Sequence, residues 1–131
     1  MILIDTNVIV QSLVGDSNTI TALEKIEASG TLLSASVITK MEMLRGASNK
    51  NELAKLKKQI KTISFVQLNA NISSLATDLI EKYFLSDHLE IPDALIAATA
   101  LYLDIELYTY NQKDFKNISG LKLYDWQAEL G

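Results

Sequence analysis

The chain predicts an α/β protein with a parallel sheet covered by helices on both faces. Three observations carry this. Short apolar runs suited to buried strands recur at residues 2–4, 32–35, 63–68, 107–109 and 121–124. Between them lie longer stretches with apolar residues at helical spacing, the alternation that builds right-handed strand–helix–strand units. Pro and Gly are scarce, with 1 and 5 among 131 residues, which favours long regular elements over loops.

Residues 2–4, Ile-Leu-Ile, read as a buried strand, and Thr6 and Asn7 supply capping groups for a short helix through Val8, Ile9, Val10 and Leu13. Gly15 to Asn18 form a turn and cap. Ile20, Leu23 and Ile26 fit a helix that stops at Gly30. After the strand at 32–35, Ser36 or Thr39 caps a helix bearing Val37, Ile38, Met41 and Leu44, interrupted by Gly46. Residues 50–61 form an amphipathic basic helix, with Leu53, Leu56 and Ile60 inward and Lys55, Lys57, Lys58 and Lys61 outward. Asn71 is expected to cap the helix that carries Leu75, Leu79, Ile80 and Tyr83, and Ser86, Asp87 and His88 to form the loop after it. Pro92 suits a first helical position, where its missing N–H costs nothing, and residues 94–103 continue a good helix-forming sequence. A helical turn at 111–115 separates the last two strands.

This topology gathers acids. Asp5 follows the first strand and Asp114 falls just after the fourth, so both reach the carboxyl edge of the sheet, where α/β proteins bind ligands. Glu42 and Asp93 join them if their helices begin there. Burying an unpaired carboxylate costs several kcal/mol or forces protonation, and a cation resolves the conflict. Four hard oxygen donors suit Mg²⁺ or Mn²⁺, and such sites commonly do phosphate chemistry. Each acid has a plainer reading alone: Asp5 as an N-cap, Asp93 as a first-turn acid, Glu42 as a solvated residue paired with Arg45.

Composition narrows the chemistry. With no cysteine and a single histidine, His88, disulfides, thiolate nucleophiles and Cys- or His-built metal sites are excluded. No apolar stretch is long enough to cross a bilayer and no basic leader precedes the first strand, so a cytoplasmic location is expected. The formal net charge of −4 does not exclude a nucleic-acid ligand. Without the four clustered acids, 12 acidic residues face 12 basic ones. The length of 131 residues fits one domain spanning the chain.

Four segments, LIDTNVIV at 3–10, SASVITKMEMLRG at 34–46, IPDALIAATALYL at 91–103 and LYTYNQKDFKNISGLKLYDW at 107–126, together resemble the PIN-domain ribonucleases, and among these the VapC-like toxins of toxin–antitoxin pairs. Their order and near-complete coverage make the resemblance specific, whereas Asp-Thr-Asn alone would be weak. The resemblance implies a three-layer α/β/α sandwich with a parallel five-stranded sheet, and Mg²⁺-dependent endonucleolytic cleavage of RNA, with Mn²⁺ as a substitute. It implies that Asp5, Glu42 and Asp93 are catalytic metal-site residues. Family members carry the fourth acid at the position of Asn111 or three residues later. Here only Asp114 is acidic, so Asp114 is taken as the ligand and Asn111 as its polar neighbour.

On this reading metal-bound water attacks the phosphodiester. Glu42 either holds a second metal or accepts the water's proton, and Thr6, Asn7 and Thr109 support the ligands. Arg45, the only arginine, could hold the scissile phosphate or pair with Glu42 or Glu52. The four helix lysines could guide RNA or be a solvated face. Tyr108, Tyr110, Phe115 and Trp126 could stack on bases, but their positions favour packing. The resemblance also implies a cognate VapB-like antitoxin and a homodimer formed through apolar helix faces near residues 38–44 and 75–84. The alternative function is a non-catalytic PIN-fold module that binds RNA or protein.

Overall fold

The structure is a computed structural model and describes residues 1–129. The sheet is entirely parallel and has the order β3-β2-β1-β4, with β1 at Ile2–Ile4, β2 at Leu33–Ser36, β3 at Ser64–Val66 and β4 at Glu106–Tyr108. Helices α1 (Thr6–Leu13) and α2 (Ser17–Ala28) join β1 to β2, and α3 (Val37–Arg45) and α4 (Lys50–Gln59) join β2 to β3. Helices α5 (Ala70–Asp87) and α6 (Ile91–Leu103) then carry the chain back past β2 and β1 to β4. The crossovers therefore depart in opposite directions on either side of β1. This is the switch point at which an open parallel sheet leaves a crevice beyond its carboxyl ends.

Successive strand residues point to opposite faces, and the two cores follow that rule. Leu3, Val66 and Leu107 pack with α5 and α6, against Ile72, Leu79, Ile96 and Phe115. Ile2, Ile4, Ala35, Phe65 and Tyr108 pack on the other side with Val8, Ile9, Ile26 and Ile60. With both faces covered, β1 has no polar position until Asp5. Leu3 is wholly buried, which is worth about 2 kcal/mol relative to exposure.

Several boundaries differ from expectation. Residues 121–124 do not extend the sheet as a full strand: they make one parallel bridge, Leu107 to Leu123, with Leu107 N–H donating to Lys122 at 2.8 Å and Tyr124 N–H to Leu107 at 2.8 Å. The sheet thus has four strands, with β4 ending at Tyr108 and residues 121–124 joined to it by that single bridge. Strand β3 is likewise shorter than residues 63–68. Asn69, not Asn71, caps α5: two residues separate it from β3, and it accepts from Ile72 N–H at 2.8 Å. That helix continues through Ser86 and Asp87, and His88 closes it in a left-handed conformation, φ 54°. Gly30 ends α2 as expected, at φ +86°, just after the capping Ser29. Among the described residues no helix is long and apolar enough to cross a membrane.

Candidate metal centre

Asp5 is 5% exposed at the carboxyl end of β1, where its N–H donates to Tyr108 at 2.9 Å across the switch point. It is itself the N-cap of α1, a role the sequence reading gave to Thr6 and Asn7. Its Oδ1 accepts from Thr6 N–H at 2.8 Å, and its Oδ2 from the Thr109 hydroxyl at 2.8 Å and the Asn7 amide at 3.3 Å. Burial pushes the Asp5 carboxyl up, and the charge of Glu42 adds to the rise. The bonds from Thr109, Thr6 and Asn7 oppose it. The N-cap reading is therefore correct but incomplete, because an ordinary cap is solvated and has no need of two further donors.

The residues freed from capping hold the site together. Asn7 accepts from Tyr110 N–H at 3.1 Å through Oδ1, fixing its amide toward Asp5 and toward the Thr109 hydroxyl, 3.4 Å away. Thr6 donates to Glu42 Oε1 at 2.9 Å and stands 3.1 Å from the Thr39 hydroxyl, tying α1 to α3. Glu42 was expected within an apolar run, but it is exposed. The helix buries Thr39 and Met43 and turns Glu42 outward to the edge.

Asp93 is half-buried in the first turn of α6, and its carboxyl is raised from the ordinary 3.8 to about 6. Desolvation is the main cause, followed by the charges of Asp5, Asp114, Glu42 and Glu90. All four sequence-predicted acids thus share one electrostatic neighbourhood. Glu90 is an addition that sequence reasoning passed over; its only signal was an acid three residues before Asp93. Asn111 and Asp114 also meet: the Asn111 amide donates to Asp114 Oδ2, and Asn111 N–H donates to Thr109 Oγ1 at 3.0 Å. Thr109, wholly buried, is the common anchor for both branches.

Among the described residues, no group of three or more acids converges tightly enough to enclose a metal ion as the side chains stand. The donor set nevertheless fits a hard cation: it is all oxygen, it stands at the switch point, and it includes a buried carboxylate and a second one that resists ionisation. The acids run from buried Asp5 through half-buried Asp93 and Asp114 to exposed Glu42. A larger cavity of about 440 Å³, lined by Ile9, Leu23, Leu33 and Ile63, contains none of them.

The other sequence candidates separate cleanly. Arg45 is exposed in the last turn of α3. Among the described residues an ion pair joins Lys122 to Asp104, and no bridge holds Arg45 to Glu42 or Glu52. Instead Glu52 accepts from Ser48 N–H at 2.7 Å. Tyr108 and Phe115 are buried, Tyr110 bonds Thr19 and Tyr108 through its hydroxyl, and Trp126 packs edge-on against Tyr110 at 4.8 Å. These four aromatic residues pack the fold.

A parallel sheet with its switch point at β1 and acids from β1, α3, α6 and the β4 turn is the arrangement of a PIN domain. The PIN-domain family model matches residues 2–121, and the chain belongs to that family. PIN domains are in general nucleases that use divalent metal ions. A toxin–antitoxin complex from Klebsiella pneumoniae contains a chain 30% identical to this one, with 92% of this chain and 95% of that one covered and a TM-score of 0.76. Chains of VapBC complexes from Rickettsia felis, bound to promoter DNA, and from nontypeable Haemophilus influenzae are 23% and 22% identical. They cover 95% and 97% of this chain and 98% and 99% of their own, with TM-scores of 0.79 and 0.80, a likeness of fold. No curated protein sequence matches significantly. The chain is thus a PIN domain that resembles the VapC-like toxins.

Proposed function

We propose that this protein is a metal-dependent endoribonuclease and the toxin of a toxin–antitoxin pair. The observation that carries this reading is the raised Asp93 carboxyl among Asp5, Asp114 and Glu42. Repulsion of that kind persists in a fold when a cation neutralises it. Asp5, Asp93 and Asp114 would hold Mg²⁺, or Mn²⁺ in its place. The ion supplies a lowered pKa for water and stabilises charge on the phosphorus oxygens.

The chain's own residues do the rest. Thr109 and Asn7 aim the Asp5 carboxylate, and Asn111 aims Asp114. Glu42 is the exposed member, steadied by Thr6, and would either accept the proton of the attacking water or hold a second metal ion. In-line attack would leave a 5′-phosphate and a 3′-hydroxyl. Arg45, free of carboxylate partners among the described residues, would contact the phosphate from α3.

The antitoxin partner is proposed from the complexes to which the chain is similar and from a groove of about 400 Å³. It starts at Thr6 and Glu42 and runs past Val10, Val14, Met43 and Leu56. An amphipathic segment laid there would bury apolar area and reach the acids with a basic residue. A homodimer is proposed through Phe84, Leu85, Ile91 and Tyr102, all exposed on α5 and α6. Of the segments the sequence offered for this, 38–44 and 75–84, most apolar residues turn inward, leaving Met41 and Phe84 exposed.

The test is cleavage of total RNA by the purified, antitoxin-free protein with Mg²⁺, with Mn²⁺ and with EDTA, beside Asp5→Asn. Asn keeps the N-cap bond and removes the charge, so the fold should persist. Cutting that requires metal and is lost in the variant is expected. Equal cutting by both proteins would refute the site. Absence of cutting by the folded wild type in every condition would favour a non-catalytic binding module.

A further inference from the structure

Three lysines converge where the sequence shows only a basic helix. Lys57 on α4 and Lys61 just beyond it are four residues apart, and Lys40 meets them from α3. With Ile60, Ile63 and Phe65 they line a cavity of about 240 Å³ that has no acidic residue in its wall. Lys55 faces elsewhere, into the groove beside Thr6 and Glu42. The lysine run is therefore not one uniform solvated face. Lys40 Nζ lies 5.3 Å from the centre of the Phe65 ring, a cation–π contact that holds the ammonium at the cavity wall and leaves its N–H groups able to donate.

No carboxylate neutralises these three among the described residues. Like charges gathered at one cavity repel, and a bound anion removes that cost. The cavity lies on the β3 flank: Lys61 and Ile63 immediately precede β3, at the amino end of the sheet, while the acids stand beyond its carboxyl end, and α3 bears both Lys40 and Glu42. A ligand spanning both places must present groups suited to cationic ammonium at one end and to a metal-loaded carboxylate site at the other. A phosphodiester strand presents phosphate to both, whereas an acidic peptide offers no scissile phosphate.

We propose that Lys40, Lys57 and Lys61 form a phosphate-binding subsite that anchors single-stranded RNA on the β3 flank, away from the catalytic edge. This rests on the ribonuclease reading and adds where the strand runs. Lysines act there as point charges along a flexible backbone, without the fork geometry that selects arginine. The apolar floor of Ile60, Ile63 and Phe65 lies beneath them.

The test compares the full-length wild type, Lys40→Gln/Lys57→Gln/Lys61→Gln, and a control of equal net charge, Lys25→Gln/Lys82→Gln/Lys122→Gln. Binding of a labelled single-stranded oligoribonucleotide is measured by anisotropy across a salt series in EDTA, where no metal is available for cutting. Each phosphate contact contributes about 0.7 to the slope of log affinity against log salt, so losing three should flatten the slope by about 2. The control should keep the wild-type slope. Lys57→Gln alone, a mild surface change, should lower the slope by about 0.7 and serves if the triple variant folds poorly. Equal slopes in the variants and control would overturn the subsite while leaving the metal-dependent cleavage result untouched. Binding of polyglutamate but not RNA at these lysines would overturn it in favour of an acidic protein partner. A wild type that binds no RNA at any salt overturns the subsite, and the ribonuclease reading is decided separately by the metal-dependent cleavage assay.

Discussion

Asp93→Asn should make the metal-free protein more stable at neutral pH while abolishing its activity. The Asp93 carboxyl sits at about 6 against an ordinary 3.8, so the folded state binds its proton more tightly than the unfolded state does. Below about pH 4 both states are protonated and the group costs nothing. As pH rises through 6 the folded protein must release that proton into a desolvated, acidic neighbourhood, and stability falls. Taken at face value the shift corresponds to about 3 kcal/mol, but Asp93 is only half-buried and water screens its neighbours, which leaves about 1 kcal/mol. For a chain of this size that is roughly 3 °C in Tm. Thermal melts in EDTA should place the Asn variant above the wild type by about that margin near pH 7.5 and merge the two below about pH 4. Added Mg²⁺ should raise the wild type more than the variant, since a ligand stabilises only the state that binds it. A variant less stable than the wild type at pH 7.5 in EDTA, or a difference that ignores pH, would refute the electrostatic account.

Asn111 works through Asp114, so Asn111→Ala should weaken Mg²⁺ affinity about 10-fold while Asp114→Ala weakens it further. Titration calorimetry on both variants checks the order, and the reverse ranking would move the fourth ligand to Asn111. Thr109→Val keeps the buried shape but removes the hydroxyl shared by Asp5, Asn7 and Asn111. It should cost about 1–3 kcal/mol of stability, read from urea melts, and lower metal affinity as well. A neutral result would mean that Asp5 needs no orienting donor.

The strands, their parallel order and the four acids were legible because each depends on a local signal tied to a global rule. Apolar runs such as Ile2-Leu3-Ile4 can be buried on both faces only in a parallel sheet, and topology then sends their carboxyl ends to one edge. Boundaries were less legible because tertiary bonds set them. Residues 121–124 have the pattern of a strand, yet pairing ends after one bridge because the neighbouring β4 is itself only three residues long. Asn69 and Asn71 are chemically equal caps. Their difference lies in where β3 stops.

Within the site, chemistry was readable and exposure was not. Met41-Glu42-Met43 looks like a burial run, but a helix shows a different face every 100°, and which face is outward depends on α1 and its Thr6. The same rule separates the lysines, since Lys55 and Lys57 are two residues apart and enter different cavities. A sequence names the charges on a helix, but only packing assigns them to partners. Here it sends Glu42 to the carboxylate cluster and Lys40, two residues earlier, to a cationic cavity with Lys57 and Lys61. Helix α3 thus carries opposite charge on two sides within one turn: Glu42 faces the other acids and Lys40 the lysines of α4, so substitution can remove either cluster without touching the other.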